Sequence, residues 1–352
     1  MAARTVIELD TVRKAYPDGT VAVEGLSFSV REHEVLALVG PSGCGKSTTL
    51  RMVNRLVEPT SGRILLDGED VTATDPVALR RRIGYVIQNV GLFPHRTVEA
   101  NIATVPGLLG WDRRRTRARV SELLDLVGLP AATYAKRYPH ELSGGERQRI
   151  GVARALATDP PVLLMDEPFG AVDPEFRRHL QTEFQRIQRE TGTTVILVTH
   201  DIDEAARLSD RITVLSRGGK LEQVASPLAV LAHPASERVR DFIGDGSASR
   251  MLALARVQTV DLEGADRIVE PAPPPVRLGA RLTDAFEAVA ALPGSAMGRV
   301  PVVGESGDVV GSLTADGILG ALRRAADAAG GDAGAADIQD AVDNVPGREP
   351  AV

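Results

Sequence analysis

At 352 residues the chain is too long for one typical domain, and its length predicts a large domain with a smaller one attached. Its composition, 43% hydrophobic and 25% charged, is that of a globular protein, and the net charge of -6 argues against a general nucleic-acid binder. Because Cys44 is the single cysteine and the sequence shows neither a signal peptide nor an apolar run of roughly 18 residues, we expect a cytosolic chain.

The large domain is predicted to be α/β, because short apolar runs end at polar residues or at glycine. The runs that predict strands are residues 6–9, 26–30, 34–39, 161–165 and 194–199. The last two end at Asp166-Glu167 and at His200. This arrangement is typical of a mixed, mostly parallel sheet whose site lies at the carboxyl ends of its strands.

A helical stretch interrupts these strands, with apolar residues such as Val120, Leu123 and Val127 at helical spacing. Beyond it, residues 283–292 predict a helix and two short strands follow, before a loosely ordered stretch from Ala325. The predicted divisions are an α/β domain at 5–243 with a helical subdomain at about 90–157, a linker at 244–275, a small α/β segment at 276–322 and an Ala/Gly/Asp-rich tail at 323–352.

The stretch after residues 34–39 matches the P-loop pattern G-x-x-x-x-G-K-[ST]. Its backbone N–H groups are expected to turn around phosphate oxygens, while Lys46 reaches the β- and γ-phosphates and Ser47 ligates Mg²⁺. The alternative is a glycine turn without a ligand, and we interpret Cys44 as a small tolerated side chain rather than a nucleophile. The predicted ATP-binding residues are Gly40, Pro41, Ser42, Gly43, Cys44, Gly45, Lys46, Ser47 and Thr48.

The acidic pair that follows the run at 161–165 fits a Walker B site. Asp166 is expected to hold Mg²⁺ through water, and Glu167 to polarise the attacking water as a general base. An acidic pair can also cap a strand as a mere turn, and the preceding P-loop favours the functional interpretation.

A second glycine turn, Leu142-Ser143-Gly144-Gly145-Glu146, precedes a predicted helix and forms another anion-binding cup. Here the sequence resembles the ABC ATPase family, whose signature is L-S-G-G-[QE]. The alternative is a simple N-cap turn. The resemblance implies that two cassettes pair head to tail, so that Ser143, Gly144 and Gly145 of one chain contact the ATP held by the other.

Other family positions follow from the same resemblance. Gln88 resembles the Q-loop glutamine that ligates Mg²⁺, and His200 resembles the switch histidine that contacts the γ-phosphate. With Glu167, these are the implied catalytic residues. Asp173 ends a stretch that resembles the D-loop at the dimer interface, and Tyr16 resembles the aromatic residue that stacks on adenine.

Residues 88–98 and 199–205 resemble the importer branch that handles glycine betaine, proline, choline and related osmoprotectants. ATPases of that branch often carry cystathionine-β-synthase (CBS) domains, and residues 276–322 resemble one such repeat, with 244–275 at best an eroded first copy.

The resemblance implies an ATP-hydrolysing subunit that works as a homodimer on the cytoplasmic face of the cell membrane. Its implied partners are membrane permease subunits and, indirectly, an extracytoplasmic solute-binding protein. Three alternatives stay open: a soluble ABC ATPase of translation or DNA repair, a silent nucleotide-binding regulator, and an importer ATPase for a different small polar solute.

Overall fold

The structure, a computed structural model, describes residues 4–87, 90–264, 274–292 and 298–332. These residues divide into two compact units, a large unit that ends at Glu222 and a small unit that begins at Gln223. The division lies before the domain boundary at residue 243 that the sequence predicts, and the predicted domain limits stay predictions.

The large unit forms strands at all five predicted apolar runs, where residues such as Leu36, Leu164 and Ile196 are wholly buried, and its described residues form five further strands that were not predicted. Its strands are β1 (Thr5–Ala15), β2 (Val21–Arg31), β3 (Val35–Val39), β4 (Ser61–Leu66), β5 (Glu69–Asp70), β6 (Ile83–Val86), β7 (Val162–Asp166), β8 (Thr194–Val198), β9 (Arg211–Ser216) and β10 (Lys220–Ala225), in which the division between the units falls. Its helices are α1 (Lys46–Val53), α2 (Pro76–Arg81), α3 (Val98–Ile102), α4 (Thr104–Leu108), α5 (Arg113–Leu126), α6 (Ala131–Tyr134), α7 (Gly144–Ala155), α8 (Pro174–Thr191) and α9 (Ile202–Leu208).

Among the described residues, the strands of this unit form two sheets. One has the strand order β10-β9-β3-β8-β7-β6 and is parallel from β9 to β6, and the other is antiparallel with the order β2-β1-β4-β5. One apolar cluster joins Leu163 of the parallel sheet to Leu124 of α5 and Ile150 of α7. A second joins Leu36 of that sheet to Leu50 of α1 and the antiparallel strands. The mostly parallel α/β fold with a helical insert is therefore confirmed.

The small unit contains α10 (Pro227–Ala232), α11 (Glu237–Ile243), α12 (Ser247–Leu254), β11 (Val276–Arg277), α13 (Leu282–Ala290), β12 (Val300–Val303), β13 (Val309–Leu313) and α14 (Ala315–Asp332). Its described sheet has the order β11-β12-β13, with β11 parallel and β13 antiparallel to β12. The core includes Leu282, Val302 and Leu313. The helix and the two strands predicted after residue 282 are confirmed, while the resemblance to a CBS repeat stays a prediction.

One expectation for this unit is wrong. The loosely ordered stretch predicted from Ala325 is helical as far as Asp332, since α14 runs to that residue. Alanine has the highest helix propensity, and α14 buries Ala321 and Ala329. The remainder of the predicted tail, residues 333–352, lies outside the described residues. None of the helices that the structure describes is long and apolar enough to cross a membrane.

We expect Leu282→Ala to destabilise the small unit by about 2–5 kcal/mol, because Leu282 is wholly buried in its core and the truncation leaves a cavity. The matched change Leu319→Ala, on α14 at 49% exposure, should stay within about 0.5 kcal/mol of wild type. Urea unfolding of the full chain measures both. Equal effects for the two leucines would contradict the described core.

Candidate functional site

The predicted chemical groups meet at one edge of the parallel sheet. Strand β8 lies between β3 and β7, and all three run in the same direction. In the register of these strands, Leu38 of β3 and Asp166 of β7 both pair with Val198 of β8. The loop of residues 40–48, the acidic pair and His200 therefore leave the sheet side by side.

The loop of residues 40–48 has the backbone shape that its glycines predict. Gly40, Gly43 and Gly45 have φ angles of 144°, 76° and 103°, which favour glycine. A Cβ atom at Gly40 would lie 2.2 Å from the carbonyl oxygen of Leu215, and one at Gly45 would lie 2.4 Å from that of Ala22. Backbone packing therefore requires glycine at both positions. Pro41, Ser42 and Gly43 are exposed at the tip of the loop.

Lys46 lies inside this loop. Its Nζ donates to the carbonyl oxygens of Gly40 and Pro41 at 2.7 and 3.0 Å, and only 6% of the residue is exposed. An anion bound in the loop would meet this ammonium group. Burial raises the pKa of the Cys44 thiol, although Lys46 opposes the shift, so Cys44 stays protonated and is a poor nucleophile.

Ser47 connects the loop to the end of β7. Its Oγ donates to Asp166 Oδ1 at 2.8 Å, and Thr48 follows it in the first turn of α1. Burial raises the pKa of the Asp166 carboxyl group, with the Ser47 hydrogen bond opposing the shift. The serine hydroxyl and the carboxylate are oxygen ligands of the kind that Mg²⁺ takes beside phosphate. The donor set therefore fits Mg²⁺ with a nucleotide.

Glu167 adopts a backbone conformation that is unusual for a residue with a side chain. Its φ angle is 48°, in the left-handed region, which costs on the order of 1–3 kcal/mol. The backbone N–H of Glu167 donates to the carbonyl of Val198 at 3.0 Å, which fixes the residue against β8. His200 Nδ1 lies 3.4 Å from Glu167 Oε1, and the histidine side chain is 63% exposed. The structure thus brings the predicted general base and switch histidine together.

The backbone around His200 is held by hydrogen bonds to side chains. Thr199 Oγ1 donates to Glu204 Oε2 at 2.6 Å and accepts from the N–H of Asp201 at 3.0 Å. Asp201 then caps α9 by accepting from the N–H groups of Asp203 and Glu204. Burial raises the pKa of the Glu204 carboxyl group, and the hydrogen bond from Thr199 opposes this shift.

The turn of residues 143–145 forms the start of α7. Ser143 Oγ accepts from the N–H of Glu146, and Glu146 Oε2 accepts from the N–H of Ser143, which is a reciprocal capping box. This backbone hydrogen bond lowers the pKa of Glu146. Ser143 and Gly144 are exposed, and a Cβ at Gly144 would meet open space. The turn is therefore accessible to a molecule outside the chain, and its contact with a partner's nucleotide stays a prediction.

The other predicted site residues are Asp173, Tyr16 and Gln88. Asp173 caps α8 by accepting from the N–H of Phe176 at 2.9 Å. Tyr16 follows β1, its backbone N–H donates to the carbonyl of Thr20, and Lys14 Nζ lies 5.2 Å from its ring centroid. Their roles toward nucleotide stay predictions. Gln88 lies outside the described residues.

Sequence reasoning missed Gln148 and Arg154, both on α7. Gln148 is 2% exposed and contacts the backbone at both ends of the turn from Glu167 to Ala171. It donates to the carbonyl oxygen of Glu167 and accepts from the N–H of Ala171, at 2.7 Å each. Arg154 donates to the carbonyls of Val90 and Gly91. The available signal was helical spacing. Gln148 lies one turn before the apolar residue Val152, so the two side chains share a face of α7, and that face is buried.

Comparisons with known proteins agree with this geometry. Residues 23–170 match a family model described as ABC transporter. The glycine betaine/carnitine/choline transport ATP-binding protein OpuCA of Bacillus subtilis (strain 168) is 52% identical over 239 residues, which cover 68% of this chain but only 62% of that protein. The glycine betaine uptake system ATP-binding protein YehX of Escherichia coli (strain K12) is 49% identical over 253 residues, 72% of this chain and 81% of that protein.

Among solved structures, the dimeric structure of MJ0796, described as a bacterial ABC transporter cassette, is 33% identical with a TM-score of 0.59. The match covers 63% of this chain and 98% of that one. The similarity thus includes a cassette of this fold in a dimeric state.

The raised pKa of Glu204 predicts a pH-dependent gain in stability for Glu204→Gln. A carboxyl group whose pKa is higher in the folded than in the unfolded chain makes folding less favourable as pH rises above its ordinary value of 4.5. The variant's advantage over wild type should therefore be smallest near that pH and grow as the pH rises toward the range in which the folded carboxyl group ionises. Urea unfolding across this range measures it, with the exposed Glu122→Gln as control. An advantage that shrinks as pH rises would contradict the burial of this carboxylate.

Proposed function

This chain belongs to the family of ABC transporter ATP-binding proteins, and from that premise we propose that it is the ATP-hydrolysing subunit of an importer for a small osmoprotectant. Glycine betaine, proline and choline are the proposed class of solute. OpuCA is a glycine betaine/carnitine/choline transport ATP-binding protein and YehX belongs to a glycine betaine uptake system, and both relatives support this class. The observation that carries the proposal is the placement of Lys46, Ser47, Asp166, Glu167 and His200 at one edge of the sheet.

Nucleotide binding follows from the charges at this edge. The N–H groups of the loop at 40–48 and the ammonium group of Lys46 attract the phosphates of ATP. Ser47 and Asp166 are proposed to hold Mg²⁺, which the hydrogen bond between them supports, with Gln88 as the further predicted ligand. Bound there, Mg²⁺ would neutralise charge on the phosphate oxygens during phosphoryl transfer. Tyr16 is proposed to stack on the adenine ring.

Hydrolysis requires a base beside the γ-phosphate. Glu167 is proposed to accept the proton of the attacking water, because its side chain is 24% exposed at the sheet edge and its backbone is fixed. His200, 3.4 Å from this carboxylate, is proposed to contact the γ-phosphate and orient the same water.

The second anion-binding turn supports a dimer of cassettes. Ser143 and Gly144 are exposed at the start of a helix of 12 residues, whose amide dipoles favour a negative charge. We assign this turn to the γ-phosphate held by a second copy of the chain, with Asp173 of the D-loop at the interface. The dimeric state of the similar cassette MJ0796 supports this assembly.

Transport itself requires further subunits. The relatives are ATP-binding proteins of transport systems, and we propose that this chain likewise works beneath membrane permease subunits on the cytoplasmic face of the membrane. An extracytoplasmic binding protein is proposed to deliver the solute. Closure of the cassette dimer around ATP and its reopening after hydrolysis would supply the motion that the permease converts into uptake.

Glu167→Gln should lower the kcat of ATP hydrolysis by about 10²–10⁴-fold, because it removes the general base while keeping the shape of the side chain. ATP binding should persist, and the variant should accumulate as an ATP-bound dimer. Steady-state hydrolysis, nucleotide binding and gel filtration of the full chain measure these outcomes.

The control is Glu190→Gln, an exposed carboxylate on α8 whose ion pair with Arg186 lies on the surface, and it should hydrolyse ATP like wild type. With permease and binding protein in proteoliposomes, Glu167→Gln should also lose uptake of labelled glycine betaine, proline or choline. Wild-type hydrolysis by the Glu167→Gln variant would refute the assigned base. Hydrolysis without uptake of any of these solutes by wild type would refute the solute class.

A further inference from the structure

Helix α7 contacts two segments that lie far apart in the sequence, the loop after the acidic pair and the segment at residues 90–91. Its first turn packs on the loop after the acidic pair, because a Cβ at Gly145 would lie 3.2 Å from the carbonyl oxygen of Ala171. Its later turns reach the segment that follows residues 88–89, since Arg154 donates to the carbonyls of Val90 and Gly91 at 2.7 Å each. The helix that begins after Ser143 therefore contacts both the loop after the acidic pair and the segment at residues 90–91 of its own chain.

Gln148 makes the most specific of these contacts. Its side-chain Nε2 donates to the carbonyl of Glu167 and its Oε1 accepts from the N–H of Ala171, each at 2.7 Å. With 2% of the residue exposed, no water competes freely for these bonds. One amide group thus holds both ends of the turn from Glu167 to Ala171, because the glutamine side chain offers a donor and an acceptor at once.

This turn sets the direction of the Glu167 side chain. The φ angle of 48° at Glu167 is unfavourable for a side-chain-bearing residue and persists only where the surroundings enforce it. Val198 O holds its N–H, and its carbonyl accepts from Gln148 Nε2 at 2.7 Å and from Gly170 N at 3.3 Å. Of these contacts, the bond from Gln148 is the one that comes from the helix carrying Ser143.

We infer that Gln148 is a positioning residue that holds Glu167 in its reactive orientation and ties it to the helix that presents Ser143. The inference rests on the proposed function, because it assigns to Glu167 the role of general base. In the proposed dimer, Ser143 contacts the ATP of the partner while Glu167 serves the ATP of its own chain. A shift of α7 on contact with one nucleotide would then move the base at the other.

The first test is Gln148→Met, which has a similar length but neither donates nor accepts these hydrogen bonds. We expect kcat for ATP hydrolysis to fall by about 100-fold, because misplacing a catalytic group by an ångström has an effect of that order. The KM for ATP should stay within about threefold of wild type, since the two hydrogen bonds of Gln148 go to Glu167 and Ala171 rather than to the loop at 40–48. Steady-state hydrolysis by the full chain at a temperature where both proteins are folded measures the two constants.

The chain offers a closely matched control in the small unit. Gln223 is also buried, donates from Nε2 to the carbonyl of His233 at 3.0 Å and accepts from the N–H of Ala235 at 3.0 Å. Gln223→Met removes the same kinds of bond at a site remote in sequence from the nucleotide motifs. It should lose stability in a similar way yet retain kcat within about twofold of wild type.

A second variant, Gln148→Glu, separates positioning from stability by its pH profile. Its ionised carboxylate can still accept from the N–H of Ala171 but repels the carbonyl of Glu167, whereas the protonated form can donate to that carbonyl. Burial favours the protonated form. The kcat of Gln148→Glu relative to wild type should therefore rise as pH falls from about 8 to about 6, while the ratio for Gln148→Met stays flat.

The possible results separate this inference from the proposed function. If Gln148→Met hydrolyses ATP within twofold of wild type, loses activity only through KM, or loses no more kcat than Gln223→Met, the positioning role is refuted. If Gln148→Met does not fold, the Gln148→Glu profile decides, and a ratio that is flat with pH refutes the role. If Glu167→Gln hydrolyses ATP normally, the proposed function fails first, whatever the glutamine variants do.

Discussion

The site depends on one constraint, the parallel pairing of β3, β8 and β7 in register. Because Leu38 and Asp166 both lie opposite Val198, the loop after β3 and the acidic pair after β7 flank the end of β8. The hydrogen bond from Ser47 to Asp166 and the 3.4 Å contact of His200 with Glu167 are consequences of that register. A slip of one residue would turn every side chain of a strand to the opposite face of the sheet. Strand pairing thus determines which side chains lie next to one another in the site.

Much of this could be predicted from the sequence because the signals are local. Apolar runs that are buried on both faces indicate interior strands, and the spacing of Gly40 and Gly45 reflects positions where a Cβ would strike the backbone. The capping box of Ser143 and Glu146 is likewise contained in four consecutive residues. These short-range rules specify which residues form the loops, and parallel pairing then implies that the loops share an edge. They do not specify that β8 lies between its two neighbours, since strand order is a long-range property.

The remaining features could not be predicted from the sequence, because each depends on contacts between residues that are distant along the chain. Nothing near Glu167 in the sequence indicates its left-handed backbone, which is held by Val198 and by Gln148 from another helix. Gln148 itself follows the signature as an ordinary polar helix residue, and only its burial and its two backbone partners give it a role. At the other end of the chain, low complexity suggested disorder, whereas helix propensity and packed alanines extend α14 to Asp332.

The central claim is that a nucleotide is bound between the Lys46 loop of one chain and the Ser143 turn of another. The most direct test mixes full-length Ser143→Arg with full-length Lys46→Ala and compares ATP hydrolysis by the mixture with that of each variant alone. Each homodimer has a defect in both of its sites, whereas a mixed dimer contains one site with an intact lysine loop and an intact serine turn. If each nucleotide is shared in this way, the separate variants are nearly inactive and mixing them restores hydrolysis. Full activity of Ser143→Arg by itself would contradict it.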